Sequence, residues 1–455
     1  MPAFATRAAP LALLLASLPP SLAAAGRAVP APAGRAAPAP ALLGLGDVAP
    51  PWPATWQLNL STAIMPANYN GWTRNVSGWG YVDFDWSNNK QVWAKEKPMT
   101  CEEDLLAQVR LSSADRANDG QRYYVYRNSI KALSWFSSVR ELLVDPAYAA
   151  WFLPFAPTPP RNGTSYYSPP CDENYDPPLC SRLYHDQTQS PAYPKGDGDC
   201  AAPACDTGAV PSGEYLWDFR QLNTSVNGVT LREWWFEEWL FGKNGGGDPL
   251  VSGFFFDDGW MGKSGPSEVE GHAAIDMGLS DADLDNITQA YNSFMREVNE
   301  VIVARGKFSW QLMAGGQYAG TRWPYMPLVR NATCAADLRE FCVAGTQNRT
   351  LFYGLSPGSS SPPDDLPLLA QDIAGFQLVR SPFSWLGHGW LGTGADEPQG
   401  FFTYTFPDAL NADFGAALNL CTETQPGVSG VFVRDFERAT VRMDCGSFTP
   451  TITWK

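Results

Sequence analysis

Between Gly213 and Trp260 the chain reads strand, loop, helix, loop, strand, and both apolar runs break on carboxylates. Glu214–Trp217 is a short apolar and aromatic run that stops at Asp218, and Val251–Phe256 is a second that stops at Asp257 and Asp258. Between them Thr230 fits a helix N-cap, with Glu233 three residues on to complete a capping box. Leu231, Trp234, Trp235, Trp239 and Leu240 then recur at helical spacing over Leu231–Phe241, until Gly242 and the glycines at 245–247 end the helix. This is a β-α-β unit with an acid at the carboxyl end of each strand. Continuous apolar strands belong to parallel sheets buried on both faces. In such sheets the loops and active sites gather at the carboxyl ends of the strands. An Asp closing such a strand is either a solvated cap or a catalytic group, and two in succession favour the second.

The same alternation of strand and helix recurs along the chain. Trp56–Met65 reads as a first strand ending before Pro66, and Trp79–Trp86 as a second that carries Asp83 and Asp85 on one face. Cys101–Leu111 is helical, with Glu102, Glu103 and Asp104 placed to favour the helix dipole. Arg122–Arg127 is a third strand with Asn128 at its end, and Trp135–Val144 is the following helix. Further on come a long helix at Asp281–Arg305, a strand at Phe308–Met313 and a helix at Asp364–Ile373. Phe376–Arg380 leads into Ser381–Trp390, which is too rich in glycine and aromatics for a plain strand. Val428–Arg434 is the last clear strand, with a return strand at Thr440–Met443. Seven or eight strands separated by helices predict an α/β fold, a (β/α)8 TIM-like barrel. A doubly wound open sheet is the alternative, but no glycine-rich phosphate turn follows the first strand.

The barrel is expected over residues 55–455. Ahead of it, residues 1–25 carry Arg7, the apolar Leu11–Leu18 and a small-residue cleavage site at Leu22–Ala25, the pattern of a signal peptide. Residues 26–54 form an Ala/Pro-rich linker. Residues 156–212 are dense in Pro, Gly, Asp and Cys and are expected to form a long disulfide-stapled insertion. That insertion enters just before the central unit, so Tyr184, His185, Asp186 and Gln187 could reach the site.

Nine cysteines agree with an oxidising compartment. Spacing suggests the local bridges Cys171/Cys180, Cys200/Cys205, Cys334/Cys342 and Cys421/Cys445, with Cys101 left over, although spacing does not fix a pairing. Sequons stand at Asn59, Asn75, Asn162, Asn223, Asn286, Asn331 and Asn348. No run after the leader is long enough to cross a bilayer. The expectation is a secreted, extracellular glycoprotein, with the cell wall and the vacuole among its destinations.

A net charge of −15 without a basic cluster argues against nucleic acid as a partner, because phosphate binding rests on Lys and Arg. No CxxC occurs and only His185, His272 and His388 are available, so neither a metal site nor a cofactor is expected. A serine triad lacks its G-x-S-x-G context. What remains is paired carboxylates, the minimal machinery of glycoside hydrolysis: one protonates the leaving oxygen and the other attacks the anomeric carbon or activates water. Asp218, Asp257 and Asp258 are the predicted catalytic acids, with Asp218 expected on the strand beside that of Asp257. Asp218 has a plainer alternative as the ion-pair partner of Arg220. Glu237 and Glu238, on the connecting helix, should face solvent.

The 18 Trp and 17 Tyr pack a core or, in the sharper reading, supply flat platforms for sugar rings. Trp86, Trp217 and Trp260 are the platforms expected first. Arg127, Asn128, Arg220, His388 and Glu437 complete the predicted substrate contacts, His388 having a structural role as its alternative.

The segments YLWDFR and VSGFFFDDGW, with GVFVRDFERATVRMDC near the end, resemble the polygalactosaminidase-like and related glycoside hydrolases with (β/α)8 barrels, among them exported proteins of algae and other unicellular eukaryotes. The resemblance spans Trp56 to the C-terminus but is specific only at these patches. It implies that Asp218 and Asp257 are the acids. The doubled Asp258 and the Cys-rich insertion depart from the pattern. The expected function is therefore a secreted hydrolase of O-glycosidic bonds in a polysaccharide, the alternative being a non-catalytic carbohydrate-binding or wall-associated glycoprotein.

Overall fold

The structure is a computed structural model that describes residues 55–64, 76–86, 100–115, 120–155, 182–186, 214–266, 274, 277–311, 325–326, 331–344, 352–354, 366–388 and 406–455. These all belong to the unit Gly44–Lys455. The predicted signal peptide and linker, and most of the predicted insertion, lie outside the described residues.

In chain order the strands are β1 (Thr62–Ile64), β2 (Tyr81–Phe84), β3 (Arg122–Asn128), β4 (Lys131–Ala132), β5 (His185–Asp186), β6 (Glu214–Leu216), β7 (Ser225–Val226), β8 (Val229–Thr230) and β9 (Val251–Asp257). They continue with β10 (Phe308–Gln311), β11 (Tyr325–Met326), β12 (Phe352–Gly354), β13 (Trp385–His388), β14 (Thr422–Glu423), β15 (Val431–Asp435), β16 (Ala439–Asp444) and β17 (Thr449–Trp454). The helices are α1 (Cys101–Asp115), α2 (Ser137–Val144), α3 (Leu231–Trp234), α4 (Asp281–Ala304), α5 (Cys334–Phe341) and α6 (Leu369–Val379).

One parallel sheet has the order β10-β9-β3-β2-β1-β13-β12-β11. From β1 the chain winds outward strand by strand to β10, then resumes at the far edge with β11 and works back to β13, which pairs with β1. This corrects the predicted closed barrel: among the described residues the sheet is open, and no ladder joins the edges β10 and β11. Nor does the chain devote all its strands to that sheet. Glu214–Leu216, expected as a parallel strand, instead lies antiparallel between β4 and β5. Val431–Asp435 and its return strand belong to a separate antiparallel sheet, β14-β15-β16-β17. The run at Ser381–Trp390 does contain a strand, β13, and the preceding helix extends to Val379, beyond the predicted Ile373.

The open sheet nevertheless rolls strongly. Five strand spacings separate β10 from β13, about 24 Å in a flat sheet, yet the rings of Phe308 and Trp385 on those strands stand 6.1 Å apart. The result is a half-barrel with an inner and an outer face. Register sets which residues face inward. Asp83 pairs with Tyr124, and Tyr124, Tyr126 and Asn128 pair with Gly253, Phe255 and Asp257. Since neighbours in register share a face, these residues line the side on which Tyr81, Trp385 and Phe308 meet. Gly253 is required there, since a Cβ would fall 2.1 Å from the Tyr124 ring. The other face carries Val125, Arg127, Phe254 and Phe256.

The central helix begins as predicted, with the Thr230–Glu233 capping box formed. It then widens into a π-helical turn over Trp235–Leu240, and Glu237 and Glu238 face solvent. Two disulfides tie the C-terminal sheet to α5, Cys334–Cys445 and Cys342–Cys421. They cross the two bridges suggested by spacing, because the antiparallel sheet folds back over α5. Cys101 is a buried free thiol; the other four cysteines lie outside the described residues. Cys334–Cys445 closes a separation of 111 residues. Replacing both by Ser is expected to cost about 2–5 kcal/mol, because the unfolded chain regains the entropy of that loop. Denaturant unfolding of the double variant checks this, and an unchanged midpoint would contradict it.

Candidate active site

The inward residues at the carboxyl ends of β2, β3 and β9 form an acidic cluster. On β3 the side chains of Tyr126 and Asn128 are coupled: Asn128 Nδ2 donates to the Tyr126 hydroxyl at 2.9 Å. That hydroxyl is therefore free to donate its own proton, and it does so to Asp257 Oδ2 at 3.0 Å. The other Asp257 oxygen, Oδ1, accepts the backbone N–H of Asp258 at 2.9 Å. Both oxygens of Asp257 are thus held in a fixed direction.

Two successive carboxylates serve different partners here because Asp258 leaves the strand in a left-handed conformation, with φ 63°. Asp tolerates this region better than any β-branched residue. The Asp258 carbonyl accepts from Ser129 Oγ at 2.7 Å, which fixes the turn. Its carboxylate receives Asn128 Nδ2 at 2.6 Å and Lys131 Nζ at 3.1 Å. Lys131 reaches it because Asn128 Oδ1 accepts the N–H groups of Ile130 and Lys131 and turns the chain into β4. The ammonium also pairs with Glu214 at 2.7 Å. Burial works against the Lys131 charge, but Asp258 and Glu214 outweigh it and hold its pKa well above the ordinary lysine range.

Asp83 approaches from β2 and Asp85 from just beyond its end, both fully buried. Burial pushes the Asp83 carboxyl well above the usual aspartate range; Asp85 and Asp257 add to the rise, and Arg127 opposes it. Burial, then Asp257, Asp258 and Asp85, likewise raise the Tyr126 phenol. Among the described residues no three His, Cys, Asp or Glu side chains are arranged to hold a metal ion.

The predicted site residues fare differently. Asp257, Asp258 and Asn128 are brought together. Asp218 is not on a parallel strand beside Asp257. Its carboxylate is gripped by Arg220 through Nε at 2.8 Å and Nη2 at 2.9 Å, and it caps the turn that follows. Arg220 also reaches Asp283, so both its arms are engaged by protein. Arg127 lies on the outer face, where it donates to the carbonyls of Tyr126, Trp239 and Asn244 and stacks on Trp239 and Phe136. Trp217 and Trp260 are fully buried and Trp86 is 2% exposed, so none presents an open platform. Trp217 packs against Phe152, Trp234, Trp235 and Trp239, and Trp86 against Trp135 and Tyr126. Glu437 is exposed in the turn between β15 and β16 and accepts from the Ala416 N–H. The backbone of His388 pairs with Ile64, and its side chain lies outside the described residues. The backbone of His185 pairs with Tyr215 in β5, and its side chain lies outside the described residues.

Sequence reasoning did not assign Asp83, Asp85, Tyr126, Lys131 or Glu214 to the site. The signal for the first three was present in WGYVDFDW and RYYVYRN, whose alternation puts them on one face. Lys131 and Glu214 carried no comparable signal, since their pairing depends on the fold. A cavity of about 370 Å³, lined by Trp56, Gln57, Ser61, Arg122 and Trp385 among others, opens at the opposite, amino end of β1, β3 and β13. It is separate from the acidic cluster, whose members are at most 3% exposed.

No protein-family model matches the chain, and no curated protein matches it significantly.

Proposed function

We propose that the protein is an exported hydrolase of O-glycosidic bonds in which Asp257 acts at the anomeric carbon. The observation that carries this reading is the Asp257 carboxylate, held on both oxygens by Tyr126 and the Asp258 amide at the carboxyl end of a parallel strand paired on both sides, with further carboxyl groups around it. Glycoside hydrolysis requires paired carboxyl groups in one site, and the cluster offers several. Asp258, ion-paired to Lys131, serves to position its neighbour. Export is supported by the leader sequence, by the disulfides, by exposed sequons at Asn223, Asn286 and Asn331, and by the lack of any described helix long and apolar enough to cross a membrane.

Burial of the acids, none more than 3% exposed, favours a second reading, a non-catalytic carbohydrate-binding protein, whose sugar contacts would lie elsewhere than on the three buried Trp. Incubating the full secreted chain with a glycan panel and analysing the products separates the two. New reducing ends support the hydrolase; retention of glycans without any cleavage leaves the binding protein. Asp218→Asn provides an internal check. With its carboxylate engaged by Arg220, it is expected to keep turnover within about tenfold of wild type and to lose about 1–3 kcal/mol of stability from the broken pair. A loss of turnover as large as that of an Asp257 variant would restore Asp218 to the chemistry.

A further inference from the structure

We propose that Asp83 is the proton donor of this site, an inference that rests on the hydrolase reading. Four of the surrounding carboxyl groups can be compared by what holds them. Asp257 accepts two hydrogen bonds, Asp258 is paired with Lys131 and hydrogen-bonded by Asn128, and Glu214 is paired with Lys131. Asp83 differs: it is fully buried on the inner face, and neither of its oxygens has a hydrogen-bond partner among the described residues. A carboxylate left in that condition is costly, whereas a protonated carboxyl keeps an O–H to give.

The charges around Asp83 favour the same state. Asp85, one residue past the end of β2, and Asp257 on β9 repel its anion, and Arg127, on the outer face of β3, is the opposing cation. Among the described residues, Tyr81 and Tyr124, whose rings stand 4.2 Å apart, complete the titratable groups whose charges act with that of Asp83. Asp83 and Asp257 belong to strands that flank β3 and point to the same side, Asp83 level with Tyr124 and Asp257 level with Asn128, and the Asp257 charge is felt at Asp83. In the step, the Asp83 O–H bond breaks toward the glycosidic oxygen. The bond from that oxygen to the anomeric carbon breaks with its electron pair left on the departing alcohol. Asp257 meets the carbon directly or takes a proton from the water that adds to it.

The discriminating experiment compares wild type, Asp83→Asn and Asp257→Asn on two glycosides of one sugar, one with an alkyl and one with a 2,4-dinitrophenyl leaving group. A dinitrophenolate departs without protonation. Asp83→Asn is therefore expected to lose about 10²–10⁴-fold on the alkyl glycoside, to stay within about tenfold on the activated one, and to lose the alkaline limb of the wild-type pH profile. Equal losses on both substrates overturn the assignment while leaving the hydrolase reading intact. A wild type that cleaves neither overturns both. The variant should also fold. A carboxyl whose pKa is raised by folding binds its proton more tightly in the native state, so wild-type stability falls as pH rises through about 4. Asp83→Asn should accordingly melt higher than wild type at pH 7, with the gap closing in acid. Carboxyl carbon-13 titration of aspartate-labelled wild type gives a check independent of any variant: every aspartate ionised by pH 7 would sink the proposal.

Discussion

Asp257→Asn is expected to lower kcat by about 10²–10⁴-fold on every glycoside the wild type cleaves, with KM nearly unchanged. That range corresponds to about 3–5 kcal/mol of transition-state stabilisation. The substitution is isosteric: the amide oxygen can still accept from Tyr126, whose own acceptor position remains filled by Asn128, and the bond from the Asp258 N–H is the one given up. The fold should survive, because the change removes a negative charge from a crowd of them. What disappears is the group that attacks carbon or deprotonates water, which is needed with either leaving group. This separates Asp257→Asn from the leaving-group-dependent loss expected at Asp83. Steady-state kinetics on purified, folded protein decide the matter, and turnover within tenfold of wild type would remove Asp257 from the chemistry.

Lys131→Met should produce the largest loss of stability among single substitutions near the site, about 3–5 kcal/mol. Lys131 is 3% exposed and lies between Glu214 at 2% and Asp258 at 0%. A methionine fills much of the same volume but takes the Lys131 ammonium away from two buried carboxylates. Against a typical total of about 5–15 kcal/mol, such a loss moves the unfolding midpoint far. The pH dependence follows from the raised Lys131 pKa. Its contribution is complete below the ordinary lysine value of about 10.4 and is lost only as pH rises through the higher folded value. The deficit of Lys131→Met should therefore be steady across neutral pH. Urea titrations from pH 4 to 9 test this. A deficit under about 1 kcal/mol at pH 7 would show that the triad contributes little. Adding Glu214→Gln and Asp258→Asn should recover part of the loss, because an uncharged set needs no counter-ion.

The contrast between Asp257 and Asp218 shows which parts of the site could be read from the chain. Both close an apolar run, and both were expected at neighbouring strand ends. The run that ends on Asp257 is seven residues long as β9 and joins the large parallel sheet. The run before Asp218 is three residues long as β6 and pairs antiparallel outside that sheet. Strand character is local, but the choice of pairing partner is made by distant residues. Arg127 teaches the same lesson. Alternation placed it opposite Tyr126 and Asn128, so it could not share their face, and the outer helices took it up.

The sequence by itself determined the capping box at Thr230, the ends of β3 and β9, the inward alternation of Asp83 and Asp85, the outward Glu237 and Glu238, and Cys101 as the unpaired thiol among the described cysteines. These follow from backbone geometry and side-chain chemistry within a few residues. Only the tertiary structure decided that the sheet stays open, that the disulfides cross, that Trp86, Trp217 and Trp260 are buried, and that Lys131 binds Glu214 to Asp258. Each of those depends on which distant segments come to exclude water together, and desolvation at a point in space has no counterpart in the order of residues along the chain.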